Sequence, residues 1–362
     1  MKLAILGTVG VPGRYGGFET LAENLVRYAE RHSQAADGLT VYCSRRAYSD
    51  HPVTYHGARV RYSRLDANGA QSILYDAITA LDAACRGHDR LLILGVSGAV
   101  VLPLLRLVSR AKIVINVDGI EWQRSKWTGV ARHFLRWSEV LAVRYGHEVI
   151  ADNQGIADYL QTAYGIAATV IAYGGDNALE GHLADAVTFL PKLPPEYALA
   201  LCRIEPENNV EMILEAFNGS DRPLVFVGNW NRSHYGRQMR ARYVDRPGLH
   251  LLDPIYDRDA LYRLRRSAAV YVHGHSAGGT NPSLVEMMHF GVPILAHGCA
   301  FNRHSTEGKA RYFNTLGELA ALIRGLNPTG AAQLGADMRE IAQRRYTWDQ
   351  IGEAYFRLLN RI

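Results

Sequence analysis

Apolar positions recur along the chain in two alternating rhythms. Short β-rich runs predict strands at Leu3 to Leu6, Leu39 to Cys43, Ala58 to Tyr62, Leu91 to Leu94, Ile113 to Val117 and Glu148 to Ala151. Between them the spacing turns helical. Phe18, Leu21, Leu25 and Tyr28 fall on one face after Gly16-Gly17, and further helices are predicted over Gln71 to Cys85, Val100 to Val108 and Gly129 to Tyr145. The second half repeats the scheme, with strands at Ala198 to Cys202, Leu224 to Val227, Leu249 to Leu252, Ala269 to His273 and Pro293 to His297. Its helices are expected over Glu207 to Phe217, Asp259 to Arg266, Pro282 to Phe290 and Leu316 to Leu326, and Arg339 to Ile362 reads as helices divided near Tyr346-Thr347. Continuous apolar strands between helices indicate buried parallel sheets. The turn-rich Tyr173-Gly174-Gly175-Asp176 divides the halves. The expectation is an α/β protein with two doubly wound domains, 1–172 and 173–346, and a last helix over 347–362 returning to the first. Such sheets bind ligands beyond the carboxyl ends of their strands.

A length of 362 residues exceeds what one core usually fills, which agrees with two domains. With 48% hydrophobic and 21% charged residues, disorder is excluded. The net charge of +5 fits an anionic substrate, an anionic membrane surface or nucleic acid, and chance serves equally well. Cys43, Cys85, Cys202 and Cys299 form no CxxC pair, so buried free thiols in a reducing compartment are expected and a zinc site is not. The N-terminus lacks a signal-peptide pattern. The uncharged stretch Leu91 to Leu105 is shorter than the roughly 20 residues a spanning helix needs and is broken by Gly95, Ser97 and Gly98. A cytoplasmic protein is expected.

Five segments carry candidate chemistry. After the first strand, Gly7, Gly10, Gly13, Gly16 and Gly17 allow close backbone approach to a ligand, the following helix start favours an anion, and Arg14 adds charge. The loop is neither a Walker A sequence nor a GxGxxG fingerprint, and a plain strand-to-helix turn is the alternative. Asp118 and Glu121, after the Ile113 to Val117 strand, can hold a sugar hydroxyl or act as a base; Asp118 as a helix cap is the alternative. Trp122, Arg124, Lys126 and Trp127, continuing through Arg132, Arg136 and Trp137, suit a membrane interface, a lipid-linked anionic acceptor or stacked nucleic-acid bases. A helix with core aromatics and solvated arginines accounts for them equally well. Arg203, after the first strand of the second half, can clamp a diphosphate. The most specific segment runs from His273 through His275, Gly278, Gly279, Thr280, Asn281, Pro282 and Ser283 to Glu286. A strand ends, a glycine-rich loop follows, proline opens a helix, and backbone N–H groups there can hold phosphate oxygens while Glu286 accepts ribose hydroxyls. His273 and His275 lack an evident third metal ligand.

Together these segments resemble the retaining glycosyltransferases of family 4 with the GT-B fold, across nearly the whole chain. Gly7-Thr8, Tyr15-Gly16-Gly17-Phe18-Glu19-Thr20, Asp118-Gly119-Ile120-Glu121-Trp122, Ala151-Asp152-Asn153 and Gly278-Gly279-Thr280-Asn281-Pro282-Ser283 are similar to the bacterial β-1,4-rhamnosyltransferase group. Tyr346-Thr347-Trp348 resembles the start of the returning helix. The chain departs from the broader family where Gly278 stands eight positions before Glu286 in place of a glutamate, where Asn208 replaces a lysine, and where Asp118 replaces a histidine. The resemblance implies two Rossmann-like domains facing a cleft, dTDP-β-L-rhamnose as donor, retention of configuration, and a lipid-linked saccharide acceptor of surface polysaccharide synthesis. It implies no metal, no other cofactor and no nucleic acid, and peripheral attachment to the inner membrane face. Catalysis would fall to Asp118 and Glu121. Donor binding would fall to Gly16, Gly17, Arg203, His275, Gly279, Thr280, Asn281, Ser283 and Glu286, and acceptor or membrane contact to Arg14, Trp122, Arg124, Lys126 and Trp127. A sugar-nucleotide epimerase of the same architecture and a non-catalytic anion-binding module are the competing functions.

Overall fold

The structure is a computed structural model that describes residues 1–13, 16–33, 38–117, 119–123, 127–181 and 193–362. The chain forms two compact units, Met1–Tyr173 with Trp348–Ile362, and Gly174–Thr347.

Unit 1 is built on an eight-stranded sheet. Its strands are β1 (Leu3–Leu6), β2 (Leu39–Ser44), β3 (Thr54–Tyr55), β4 (Ala58–Ser63), β5 (Arg90–Leu94), β6 (Lys112–Val117), β7 (Glu148–Ala151) and β8 (Thr169–Val170). They lie in the order β3-β4-β2-β1-β5-β6-β7-β8, parallel except for the β3–β4 edge pair. Every residue of β1 and β2 is buried, the signature of a sheet covered on both faces. The crossing helices are α1 (Gly17–Arg31), α2 (Ser72–Cys85), α3 (Leu102–Val108), α4 (Gly129–Tyr145) and α5 (Gln154–Tyr164). Right-handed crossovers fix their sides. The connection through α1 runs one way across the sheet, and those through α2, α3, α4 and α5 run the other way, so these four share the opposite face from α1.

Unit 2 has six parallel strands: β9 (Tyr197–Leu201), β10 (Leu224–Val227), β11 (Leu249–Leu252), β12 (Ala268–His273), β13 (Ile294–His297) and β14 (Arg311–Phe313). Their order is β11-β10-β9-β12-β13-β14. Its helices are α6 (Val210–Phe217), α7 (His234–Tyr243), α8 (Arg258–Arg266), α9 (Pro282–His289), α10 (Ala300–Ser305), α11 (Leu316–Gly325) and α12 (Pro328–Arg345). Phe217, Phe226, Trp230, Tyr243 and Phe313 centre the core. The last helix, α13 (Trp348–Arg361), belongs to unit 1 and packs on α1.

At two helices an intervening turn moves the start. α6 begins at Val210 rather than Glu207, because Asn209 adopts a left-handed φ of 51° and separates it from a single turn at Pro206–Asn208. α3 begins at Leu102, after a tight turn at Ala99–Val101. The thiol expectation is also corrected. All four are free, but only Cys43 is buried; Cys202 and Cys299 are half-buried, and Cys85, the last residue of α2, is exposed.

Candidate functional site

In each unit the strand order reverses once, between β1 and β5 and between β9 and β12. The loops beyond those strand ends are the places where such sheets take ligands.

In unit 2 the two reversal loops are laced together. Asn208, almost fully buried, donates from Nδ2 to the Arg203 carbonyl at 2.6 Å, and its Oδ1 lies 2.6 Å from His275 Nδ1. Asn209 Nδ2 donates to the Gly274 carbonyl at 2.7 Å, and the Ser276 N–H and hydroxyl both donate to the Glu207 carbonyl. Asn302, from α10, donates to the His275 carbonyl at 2.8 Å. Gly274 has no room for a side chain, because a Cβ would meet the Asn208 carbonyl oxygen at 2.2 Å. The position where the resembled family has lysine is therefore an interior amide that ties one loop to the other. Arg203 itself is partly exposed, 3.8 Å from Glu205.

The start of α9 is built around Asn281. Its Oδ1 accepts the Ser283 N–H at 3.1 Å and the Ser283 hydroxyl at 2.8 Å, while Tyr271 donates to Ser283 Oγ at 3.1 Å. Asn281 and Ser283 thus hold the helix start in shape, and Thr280 is buried beside them. One turn further, Glu286 forms an ion pair through Oε2 with Arg265 of α8. Gly175 packs against the α9 backbone, where a Cβ would lie 2.7 Å from the Glu286 nitrogen. His273, at the end of β12, is buried, and its Nε2 has no partner. Burial, with a smaller contribution from His297, pulls its imidazole down to about 3, so it is neutral at physiological pH. Among the described residues no group of three or more His, Cys, Asp or Glu is arranged to hold a metal.

The first glycine loop of unit 1 is occupied largely by its own chain. Gly7, at φ 80°, lies against the Leu94 carbonyl of β5, and Gly10, at φ 132°, against Cys43 of β2. The Gly10, Val11 and Gly13 N–H groups donate to Thr8 Oγ1, Cys43 Sγ and Glu23 Oε2. The Glu19 carboxyl accepts backbone hydrogen bonds from Val9 and from its own N–H, and burial raises its pKa. A Cβ on Gly16 would collide with Glu19 Oε2. Several of these glycines therefore have packing reasons independent of a ligand.

Across the sheet reversal, Asp76 of α2 is buried, and its Oδ2 takes a hydrogen bond from Ser97 Oγ at 2.5 Å. Burial pushes its pKa up to about 7. The sequence reading passed over this carboxyl. The available signal was a lone aspartate on the apolar side of a predicted helix.

Asp118, Arg14, Arg124 and Lys126 lie outside the described residues. Glu121 accepts the Trp127 indole N–H at 2.8 Å. Trp122 turns its N–H inward to Glu139 and Tyr159, both at 3.3 Å, and Arg132 and Arg136 sit over its ring. Glu139 is fully buried and also accepts from the Tyr159 and Tyr164 hydroxyls. The polar ends of both tryptophans are thus taken up inside unit 1.

With this geometry in view, a family model described as a domain of unknown function (DUF1972) matches residues 1–176. No curated protein matches the chain. Solved structures match it end to end. Sucrose-phosphate synthase from Thermosynechococcus elongatus is 17% identical with a TM-score of 0.79, covering 99% of this chain and 98% of its own. The Anabaena protein HepE, in complex with UDP and glucose, is 17% identical with a TM-score of 0.77, covering 100% of both. A putative UDP-N-acetylglucosamine 2-epimerase from Listeria monocytogenes is 13% identical with a TM-score of 0.62, covering 98% of this chain and 96% of its own. The chain has the GT-B fold. At such identities the likeness establishes architecture alone.

Proposed function

We propose that the chain is a retaining glycosyltransferase that moves L-rhamnose from dTDP-β-L-rhamnose to a lipid-linked saccharide at the inner membrane face. The observation that carries the transfer reaction is the reversal point of unit 2: two laced loops, a capped helix start, and Glu286 one turn inside it. Arg203 and the amides at Thr280 to Ser283 would take the donor diphosphate. Glu286, with Oε2 engaged by Arg265, would offer Oε1 to the ribose. The neighbour in complex with UDP and glucose supports a nucleotide-sugar donor. The rhamnosyl donor and the lipid-linked acceptor rest on the resemblance of the sequence motifs.

Charge builds on the leaving diphosphate as the bond from C1 to its oxygen lengthens. Donors fixed in advance by the loop lacing lower that barrier without reorganising. With retention, the acceptor hydroxyl attacks from the face the diphosphate leaves, forms the new C1–O bond and gives its proton to a departing phosphate oxygen. Asp118 would orient that hydroxyl, and no covalent enzyme intermediate is needed. A thermal-shift panel of nucleotides and nucleotide sugars, followed by NMR of the product anomer, tests the proposal. Stabilisation by dTDP-rhamnose with retained configuration is expected. Donor turnover without acceptor would instead support an epimerase, the activity named for one neighbour. Binding without turnover would leave an anion-binding module.

A further inference from the structure

We propose that the outer face of α2, α3 and α4 docks unit 1 on an anionic lipid bilayer. Large apolar side chains stand exposed there: Leu74 and Ile78 on α2, Leu107 and Val108 on α3, Val130 and Trp137 on α4. Leu107 is 84% exposed and Val130 86%. The crossovers put these three helices on one face of the sheet, and α3 packs against both others. On α4, Val130, Phe134, Trp137, Leu141 and Arg144 recur at three- and four-residue spacing, one stripe of the helix. α5, on the same face of the sheet, shows no such exposed apolar residue. A concentration of this kind marks a surface made for another phase or partner.

Charge chooses the occupant. From Arg90 to His147 the sequence has nine Lys or Arg against three acids, and one of those, Glu139, is buried. Arg106, Arg110, Arg132, Arg136 and Arg144, on or next to α3 and α4, are exposed, Arg132 and Arg136 beside the Trp122 ring. The acids of α2 do not offset them: Asp76 is buried, and Asp82 is paired with Arg61 and Arg86. His147, close to Arg106, Lys112 and Arg90, is lowered to about 4, chiefly by burial and then by those cations. Exposed tryptophan and aliphatic groups on helices that also expose arginine match the interface of an anionic bilayer. A second copy fits poorly, because a two-fold contact would set the same arginines against each other. The proposal deepens the reading of a membrane-borne acceptor, but it does not require the chemistry to be glycosyl transfer.

Co-sedimentation with phosphatidylcholine vesicles, with and without phosphatidylglycerol, tests it in the absence of any nucleotide. Wild type should bind the anionic vesicles, and raised salt should weaken binding. Leu107→Glu/Val130→Glu should reduce partitioning by at least about tenfold. Arg110→Gln/Arg144→Gln should cost about fivefold per arginine, with no change in thermal unfolding. Transfer to a water-soluble acceptor, measured separately, should persist in both variants; its absence from wild type would count against the reaction and leave docking standing. No binding by wild type, or binding by both variants equal to that of wild type, overturns the proposal. So does a solution dimer that Leu107→Glu/Val130→Glu dissociates.

Discussion

Asp76 holds a proton that the unfolded chain would release. Its ordinary value is 3.8 and burial raises it to about 7. Between those values the folded state binds one proton more than the unfolded state, so stability falls as pH rises from about 4 to 7 and is level above. The loss is on the order of a few kcal/mol. Asp76→Asn should flatten this part of a pH series of urea midpoints. At Arg203, replacement by alanine should weaken nucleoside-diphosphate binding by about 1.5–3 kcal/mol, the range for hydrogen bonds to charged groups. Unchanged affinity in calorimetry would remove Arg203 from the donor site. Glu286 carries two roles that one substitution confuses. Glu286→Ala strands the buried Arg265 guanidinium and should cost about 3 kcal/mol or more of stability. The apolar pair Arg265→Met/Glu286→Leu should recover most of that stability in denaturant titrations and none of the donor affinity. Recovery of both would make Glu286 purely structural. These residue roles were only partly legible. Glu286 is visible as a carboxylate after a glycine loop, but its partner Arg265 lies on another helix, and no spacing rule connects them. Asn208 reads as a missing lysine, whereas its buried bridge to His275 depends on two loops meeting in space.

Elements were far more legible than their junctions. Strands buried on both faces announce themselves as unbroken apolar runs, and β1, β7, β10 and β11 span the residues the pattern predicts. α7 was missed because only Gly236, Met239 and Tyr243 of its ten residues are buried, too few for a readable apolar stripe. α12 starts at Pro328, ahead of the expected Arg339, with Asn327 accepting the Gly330 N–H as its cap. The short strands β3, β8 and β14 lie at or beside sheet edges, where two or three residues leave no period to count. At α9 the cap itself is testable. Asn281→Ala removes an acceptor for two donors of Ser283 and should cost about 1 kcal/mol. Because the same turn would present amides to the diphosphate, donor affinity should fall with it. A variant as stable as wild type in urea would mean that the turn is held without its cap.

At the scale of the whole molecule, the chain leaves unit 1, forms unit 2 and returns for one helix. α13 buries Trp348, Ile351, Tyr355, Phe356, Leu358 and Leu359 in unit 1. Tyr28 of α1 stacks on Phe356, and Gly352 is needed because a Cβ there would meet the Tyr28 ring at 2.3 Å. Asn116 of β6 donates to the Tyr355 hydroxyl, and Arg90 of β5 donates to the Leu359 carbonyl. Six large side chains at about 1.5–3 kcal/mol each amount to roughly 9–18 kcal/mol, which rivals the whole stability of an ordinary domain. Unit 2 has its own core. Ending the chain after Thr347 should therefore unfold unit 1 while unit 2 keeps a cooperative transition. Calorimetry should show two transitions in the full chain and one in the shortened chain. Hydrogen exchange should show protection lost from β1, β5 and β6 but kept in β9, β10 and β12. Adding residues 348–362 as a separate peptide should restore part of the first transition, because the helix carries its apolar face with it. Protection of β1 and β5 unchanged by the truncation would mean that α13 merely covers a unit that is stable without it.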